Sequence, residues 1–152
     1  MAEEILITDE VRKAIGTEAS PLVIEIEKGA IRKFAQAIGD ANPLWQDEEY
    51  AEKGKYSGII APPSFFCTVD AGMSNTRMEI DWPLKRLVAT GDELEFFHPV
   101  RPGDVITSTL KLAEVQEKET KGGKRLFVTF EVAFTNQKGE MVAKGRVSSM
   151  RY

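Results

Sequence analysis

Two short segments of the chain hold the residue types and spacings that could support chemistry. The first is the polar loop 39–47 (GDANPLWQD), and the second is the segment 58–65 (GIIAPPSF). In the loop, Asp40 carries a carboxylate able to move a proton, and Asn42 lies two residues away. Taken alone, an Asp followed by Asn-Pro is typical of a carboxylate that caps a turn, so the bare pattern favours a structural role.

The second segment predicts the start of a helix. Pro62 and Pro63 suit a first helical turn, where the missing N–H would lack a partner in any case. Ser64 has two interpretations: it caps this helix, or it helps the free backbone N–H groups to attract a carbonyl or phosphate. The bulky apolar positions that follow predict a buried central helix; they are Phe65 or Phe66, Val69 and Met73.

Three isolated residues are predicted to be structural. Cys67, the only cysteine, has no metal-ligand spacing around it and is interpreted as a buried small hydrophobe. Trp82 is interpreted as a packing residue. His98, the only histidine, is either a replacement base or a strand-end residue before Pro99, and we favour the second interpretation.

Composition narrows the function classes. The 152 residues fit one domain, 1–152, and the net charge of −4 without a basic run gives no support for binding nucleic acid or a membrane. No P-loop, Rossmann glycine pattern, nucleophile elbow or zinc spacing is present, so we expect neither a cofactor nor a metal. The acidic start, MAEE, lacks a signal-peptide pattern, and no stretch has membrane-spanning length, so we expect a cytoplasmic protein.

Helices are predicted around the first segment. A short helix begins at Thr8 or Asp9 and ends at Gly16, and a strand over 22–27 follows it. Apolar residues then recur with helical spacing, and Gly39 is placed to end that helix; the residues are Ile31, Phe34, Ala35 and Ile38. A further short helix is predicted over 47–53.

The second half of the chain predicts an antiparallel sheet. Residues 126–134 alternate cleanly, and turns are expected at 102–104, 121–124 and 136–139. One predicted strand places Ile106, Ser108, Leu110 and Leu112 on one face, and the last predicted strand contains Met141, Ala143, Gly145 and Val147. The predicted fold class is therefore α+β, a curved antiparallel sheet wrapped around a long central helix. Edge strands in such a sheet often pair with another subunit, so we expect a dimer.

The loop and the second segment together resemble the signature of the MaoC-like hydratase and dehydratase family. That signature is D-x-N-P-x-H-x-D, an Ala four residues later, and then G-x-I-A-H-G. It matches Asp40-x-Asn42-Pro43, Asp47, Ala51 and Gly58-x-Ile60-Ala61, and residues 97–104 (FHPVRPGD) resemble the family's strand-turn before its long hairpin. The resemblance covers nearly the whole chain and implies a hot-dog fold. Within the family, the chain looks most like the N-terminal MaoC-type dehydratase branch.

Two positions depart from this family in ways that matter chemically. The resemblance implies an Asp–His pair that activates water, and Asp40 matches the Asp, but Trp45 stands where the His belongs. An indole has an N–H donor but no basic nitrogen, so it cannot replace that His. Pro63 stands where the family uses a Gly N–H to polarise the thioester carbonyl, and proline has no N–H to donate.

The resemblance therefore implies a subunit of an (R)-specific enoyl-CoA hydratase or 3-hydroxyacyl-thioester dehydratase in fatty acid metabolism, acting as the substrate-binding, non-catalytic half. It implies a degenerate catalytic site at Asp40 and Asn42, and substrate contacts from Trp45, Gly58, Ile60, Ala61, Ser64 and Phe65. Expected partners are an acyl-CoA or acyl carrier protein thioester and a second hot-dog subunit, identical or catalytic. Candidate contacts for CoA phosphates, which a solvated surface explains equally well, are Lys53, Lys55, Arg77, Lys85, Arg86 and Arg101.

Two alternatives stay open at this stage. One is a self-sufficient homodimeric hydratase or acyl-CoA thioesterase that uses Asp40 or Asp47 as its only acid–base group. The other is a non-enzymatic module that binds acyl-CoA.

Overall fold

A computed structural model describes residues 4–68 and 77–152 of the chain. Three helices and five strands have the following bounds: α1 Asp9–Ala14, β1 Leu22–Glu25, α2 Lys28–Ala37, α3 Glu48–Lys53, β2 Leu87–Phe96, β3 Val105–Thr120, β4 Gly123–Thr135 and β5 Met141–Arg151. Short 3₁₀ turns occupy Pro43–Trp45 and Pro63–Phe65. No helix within these ranges has the length and apolarity needed to cross a membrane.

All five strands form one antiparallel sheet in the order β1-β3-β4-β5-β2. Strands β3, β4 and β5 are joined by tight turns, as predicted, because Gly123 and Gly139 adopt the positive φ angles of +97° and +77° that these turns need. β1 and β2 lie at the two edges of the sheet. The prediction of an α+β fold with an antiparallel sheet is confirmed.

One face of the sheet forms the core. Alternate residues of β4 are almost completely buried, including Leu126, Val128 and Phe130, and the predicted face of β3 is buried with them. Val11 of α1 and Ile31 of α2 are also fully buried in this cluster. The small helices therefore cover the same face that the period-two pattern predicts.

The boundaries of the first helices follow from their capping residues. The Thr8 hydroxyl accepts a hydrogen bond from the Val11 N–H at 3.3 Å, so Thr8 is the residue that caps α1. Gly16 follows with φ +86° and donates its N–H to the Leu112 carbonyl at 2.7 Å. This bond attaches the end of α1 to β3.

The predicted burial of Cys67 is wrong, and two other apolar residues are exposed for local reasons. Cys67 is exposed, because Phe65 and Phe66 point into the core and the helical turn carries the next residue outward. Ile38 is 50% exposed, since α2 ends at Ala37. Met141 is 41% exposed, because a register shift at Thr135 removes it from the buried row.

The predicted central helix is described only at its beginning. A 3₁₀ turn spans Pro63–Phe65, and helical backbone continues through residues 66–68. The predicted contacts of Val69 and Met73 lie outside the described residues.

Candidate functional site

The loop that carries Asp40 is positioned by the end of α2. Gly39 adopts φ +71°, the conformation that glycine tolerates best, and so turns the chain away from the helix. The Asp40 N–H then donates to the Ala35 carbonyl at 2.9 Å. Asp40 is therefore held close to the last turn of α2.

The carboxylate of Asp40 is engaged at both oxygen atoms. Oδ2 accepts a hydrogen bond from the Trp45 indole Nε1 at 2.8 Å, and Oδ1 accepts one from the Asn42 backbone N–H at 3.0 Å. Asn42 in turn accepts from the Leu44 N–H at 3.0 Å and so caps the 3₁₀ turn. Asp40 and Asn42 thus both stabilise the loop, and the indole takes one lone-pair position of the carboxylate.

Trp45 is a buried side chain in this loop, only 8% exposed. Together with Ile59 it forms the inner wall of a small cleft of about 190 Å³, and the outer wall includes Lys28 and Arg32 of α2. The indole is a donor only and cannot take up a proton, and the one carboxylate that lines this cleft, that of Glu48, is paired with Lys28.

The segment 58–61 runs from an irregular turn into the core. Gly58 has φ +148°, and a side chain there would approach Nη1 of Arg101 at 3.6 Å. Its N–H donates to the Ala51 carbonyl at 3.0 Å. Ile60 and Ala61 are both 7% exposed, and the Ala61 N–H donates to the Val100 carbonyl at 2.8 Å. Among the predicted substrate contacts, Ile60 and Ala61 therefore lie in the core.

The helix start after Ala61 carries no N–H at its first residue. Pro62 is the capping residue and Pro63 begins the 3₁₀ turn, so Ser64 does not occupy the N-cap position of this turn. Ser64 lies inside the turn with its side chain exposed. The Phe65 N–H donates to the Pro62 carbonyl at 2.9 Å, which removes another donor from the set available to a ligand.

A ring contact joins the two predicted segments. Phe65 packs edge to face against Phe34 of α2, with ring centroids 5.6 Å apart. Phe34 belongs to the helix whose end positions Asp40, whereas Phe65 ends the Pro63 turn. The second segment therefore packs against the helix whose end positions the loop of Asp40.

The remaining candidates lie elsewhere. His98 is exposed, and its backbone N–H donates to the Val142 carbonyl at 3.4 Å. The hydrogen bonds to the Asp40 carboxylate come from Trp45 and Asn42 rather than from His98. Among the candidate cations, Lys53 pairs with Glu49 within α3, and Lys85 pairs with Asp81 in the segment before β2. Arg77 donates to the Ser20 carbonyl and to Ser108.

Sequence reasoning missed one buried cation. Arg151 is 7% exposed and lies over the Trp82 ring at 4.4 Å. Its Nε has no hydrogen-bond partner within the described ranges, and burial lowers the pKa of its guanidinium. No sequence signal marks Arg151, because an arginine near the end of an alternating strand is ordinarily exposed.

Comparison with known proteins identifies the family. The model of the FAS1-like dehydratase domain region matches residues 13–145. The structure superposes on a MaoC-like dehydratase from Rhodospirillum rubrum with a TM-score of 0.72 and 25% identity, covering 91% of this chain and 92% of that one. The chain belongs to the MaoC-like dehydratase family. The family resemblance and the hot-dog fold expected from the sequence are both confirmed.

Two curated relatives of this MaoC-like chain differ in length. A UPF0336 protein from Parafrankia sp. is 33% identical over 135 residues, which is 85% of each chain. A protein named probable enoyl-CoA hydratase alpha subunit, from Thermomonospora curvata, is 30% identical over 138 residues, covering 80% of this chain but only 43% of that protein. The relatives therefore include both a protein of matching length and a longer one named as a subunit.

Proposed function

We propose that this MaoC-like chain is the substrate-binding, non-catalytic subunit of a two-subunit (R)-specific enoyl-CoA hydratase or 3-hydroxyacyl-thioester dehydratase. It works in the cytoplasm on an acyl thioester, beside a MaoC-like subunit that keeps the catalytic His and the oxyanion Gly. The name of the Thermomonospora curvata relative, an alpha subunit, supports the subunit role.

The observation that carries this proposal is the hydrogen bond from Trp45 Nε1 to Asp40 Oδ2, at 2.8 Å. Hydration of an enoyl thioester needs a base that takes a proton from water and an acid that returns one to the substrate. The indole can do neither near neutral pH, and it occupies a carboxylate oxygen that a water molecule would otherwise bind. Asp40 is thereby held in a structural hydrogen bond.

The second support comes from Pro63, which begins the 3₁₀ turn without an N–H to donate. Negative charge develops on the thioester oxygen in this reaction, and a missing donor typically costs about 10²–10³ in rate. The losses at Trp45 and Pro63 affect different parts of the mechanism, proton transfer and oxyanion stabilisation. Both would have to be supplied by another subunit.

The same hydrogen bonds bear on the alternative functions. A homodimeric hydratase or an acyl-CoA thioesterase would need Asp40 or Asp47 as its only acid–base group. Both oxygens of Asp40 already accept hydrogen bonds, and Asp47 caps α3 by accepting one from the Tyr50 N–H at 3.0 Å. A non-enzymatic module that binds acyl-CoA requires no base, so these hydrogen bonds do not distinguish it from a non-catalytic subunit. Turnover in the presence of a catalytic subunit does distinguish the two.

The test is hydration of crotonyl-CoA and of a longer trans-2-enoyl-CoA by the pure chain, and by the chain co-expressed with a MaoC-like subunit that keeps the His. We expect turnover only from the mixture. Turnover by the pure chain would overturn the proposal, and hydrolysis of a saturated acyl-CoA would favour the thioesterase. Tight thioester binding that no partner converts into turnover would identify the binding module.

A matched pair of substitutions sharpens this test. In the active mixture, Asp40→Asn should change the rate by less than about threefold, because the group takes no part in proton transfer. The corresponding Asp→Asn change in the partner should lower the rate by about 10²–10⁴-fold. Equal losses from the two changes would contradict a division of labour between the subunits.

A further inference from the structure

The outer face of the sheet, which is the face opposite the core, carries a row of cations next to the β3–β4 turn. Four neighbouring strand positions form this row: Lys118, Arg125, Tyr152 and Arg86. Lys118 pairs with Arg125 in the strand register, and the Arg125 guanidinium lies over the Tyr152 ring at 5.7 Å. Tyr152 and Arg86 exchange backbone hydrogen bonds at 3.1 and 3.2 Å. Since the next residue of β4, Leu126, is buried in the core, this row points outward.

The three cations of this row have no carboxylate partner. Neither Lys118, Arg125 nor Arg86 forms an ion pair within residues 4–68 and 77–152. Arg125 donates only to backbone carbonyls, those of Gly122 and Lys124, and Lys118 Nζ lies 5.0 Å from the centre of the Phe127 ring. The row therefore presents positive charge on a chain whose net charge is −4.

An apolar row lies beside the cations on the same face. Phe127 pairs with Met150, and Met150 pairs with Val88, so three adjacent strands each contribute one apolar side chain. Gln116 of β3 completes this row opposite Phe127. Val88 is 43% exposed, and Phe127 and Met150 are half-buried. Covering this row would remove apolar surface from water and would favour association.

A hollow of about 400 Å³ with acidic walls lies on the other side of the apolar row. Its carboxylates are those of Asp92, Glu93 and Glu114. Its one cation, Arg146, forms an ion pair with Glu131 at 3.9 Å. In the part of the chain that the structure describes, the three carboxylates of the hollow form no ion pair, although Glu114 accepts a hydrogen bond from Gln116. The hollow therefore carries a net negative charge.

The cation row and the hollow cannot neutralise each other within one chain. Lys118 and Glu114 both belong to β3 and are four residues apart, which corresponds to about 14 Å along a strand. This separation exceeds the screening length of about 8–10 Å at physiological ionic strength. The two charged sets can therefore find partners only on another molecule.

The order of the three features makes the outer face complementary to itself. Two such faces can stack with a two-fold axis that runs across the strands along the apolar row. Each apolar row then covers its own counterpart, and each cation row covers the hollow of the other copy. Lys118 faces Glu114 in this arrangement, because both lie two residues from Gln116. An axis parallel to the strands would instead place cations over cations, which disfavours it.

We propose that the outer face of the sheet is a docking surface for a second copy of this chain, aligned by reciprocal ion pairs between Lys118 and Glu114. Burial of the apolar row supplies the affinity, and the charges determine the orientation of the two copies. The inference goes beyond the proposed function, because it involves neither the Asp40 loop nor a reaction. It also leaves both edges of the sheet free for other subunits.

The test reverses the charge at one position at a time. In the symmetric pair, Lys118→Glu places carboxylates opposite carboxylates, and Glu114→Lys places cations opposite cations. Each change should raise the Kd of self-association at least about tenfold at low ionic strength, as measured by sedimentation velocity. An equimolar mixture of the two variants should associate with a Kd within about threefold of the original value, because both contacts of a mixed pair then join opposite charges. Salt at about 1 M should remove most of these differences, because it screens the charges.

A matched pair of variants controls for net charge. Lys13→Glu and Glu52→Lys make the same two changes at exposed positions of α1 and α3. Each should leave the Kd of self-association within about twofold of the original value, and their mixture should be no tighter than either alone. Circular dichroism checks that every variant is folded.

Cross-linking locates the contact independently of the charges. Met150 lies on the proposed axis, so Met150→Cys in a Cys67→Ser background should let a short bismaleimide join two copies. Adding Lys118→Glu should lower the yield of the cross-linked pair. Tyr50→Cys, at a position of α3 that is 56% exposed, should give no such pair at the same protein concentration.

Three results would overturn the inference. The first is a mixture of the two test variants that associates no more tightly than either variant alone, and the second is the same gain in the control mixture. The third is self-association that survives both charge reversals and gives no cross-link at Met150, as expected for contact through an edge of the sheet. All readouts are masses rather than rates, so a lack of hydratase activity in every mixture would refute only the proposed function.

Discussion

Strands β4 and β2 belong to the same sheet and both carry large apolar side chains, but their environments are opposite. β4 lies at the centre, where Phe130 is 2% exposed, whereas Phe96 at the end of β2 is 42% exposed. A side chain in the centre contributes mainly to the stability of the isolated chain. A similar side chain at the edge contributes less, because much of its surface stays in contact with water.

The largest effect that tests this contrast is expected at the centre. Phe130→Ala should lower the free energy of unfolding by about 3–5 kcal/mol, because it removes a buried ring and leaves a cavity beneath β3 and β5. Chemical denaturation of the isolated chain measures the change. A loss below about 1 kcal/mol would show that the centre of the sheet relaxes around the missing ring.

An intermediate effect is expected at the Asp40 loop. Trp45→Phe keeps an aromatic ring in the core but removes the indole donor to Asp40, so it should lower the free energy of unfolding by about 1–3 kcal/mol. A double-mutant cycle with Asp40→Ala, which removes the acceptor, separates this bond from the packing of the ring. If the two single changes simply add, the hydrogen bond does not stabilise the loop.

The sequence predicts the centre of the sheet better than the site. Period-two alternation identifies the buried row of β4, and glycines identify its turns, because these features depend on neighbours along the chain. The Trp45–Asp40 bond depends on how the 3₁₀ turn brings the indole back to the end of α2, and no periodicity encodes that geometry. The exposure of Met141 was missed for a similar reason, since it follows from a shift in strand register at Thr135.

The smallest effect is expected at the edge, and it completes the comparison. Phe96→Ala removes the same side chain as Phe130→Ala, but it should lower the free energy of unfolding of the isolated chain by only about 1 kcal/mol or less. The reason is that Phe96 is 42% exposed, although its ring packs at a tilt against Phe66 with centroids 5.7 Å apart. Denaturation of the two alanine variants under identical conditions gives the ratio of their losses in the free energy of unfolding. Losses of equal size would mean that β2 is already part of the core of the single chain.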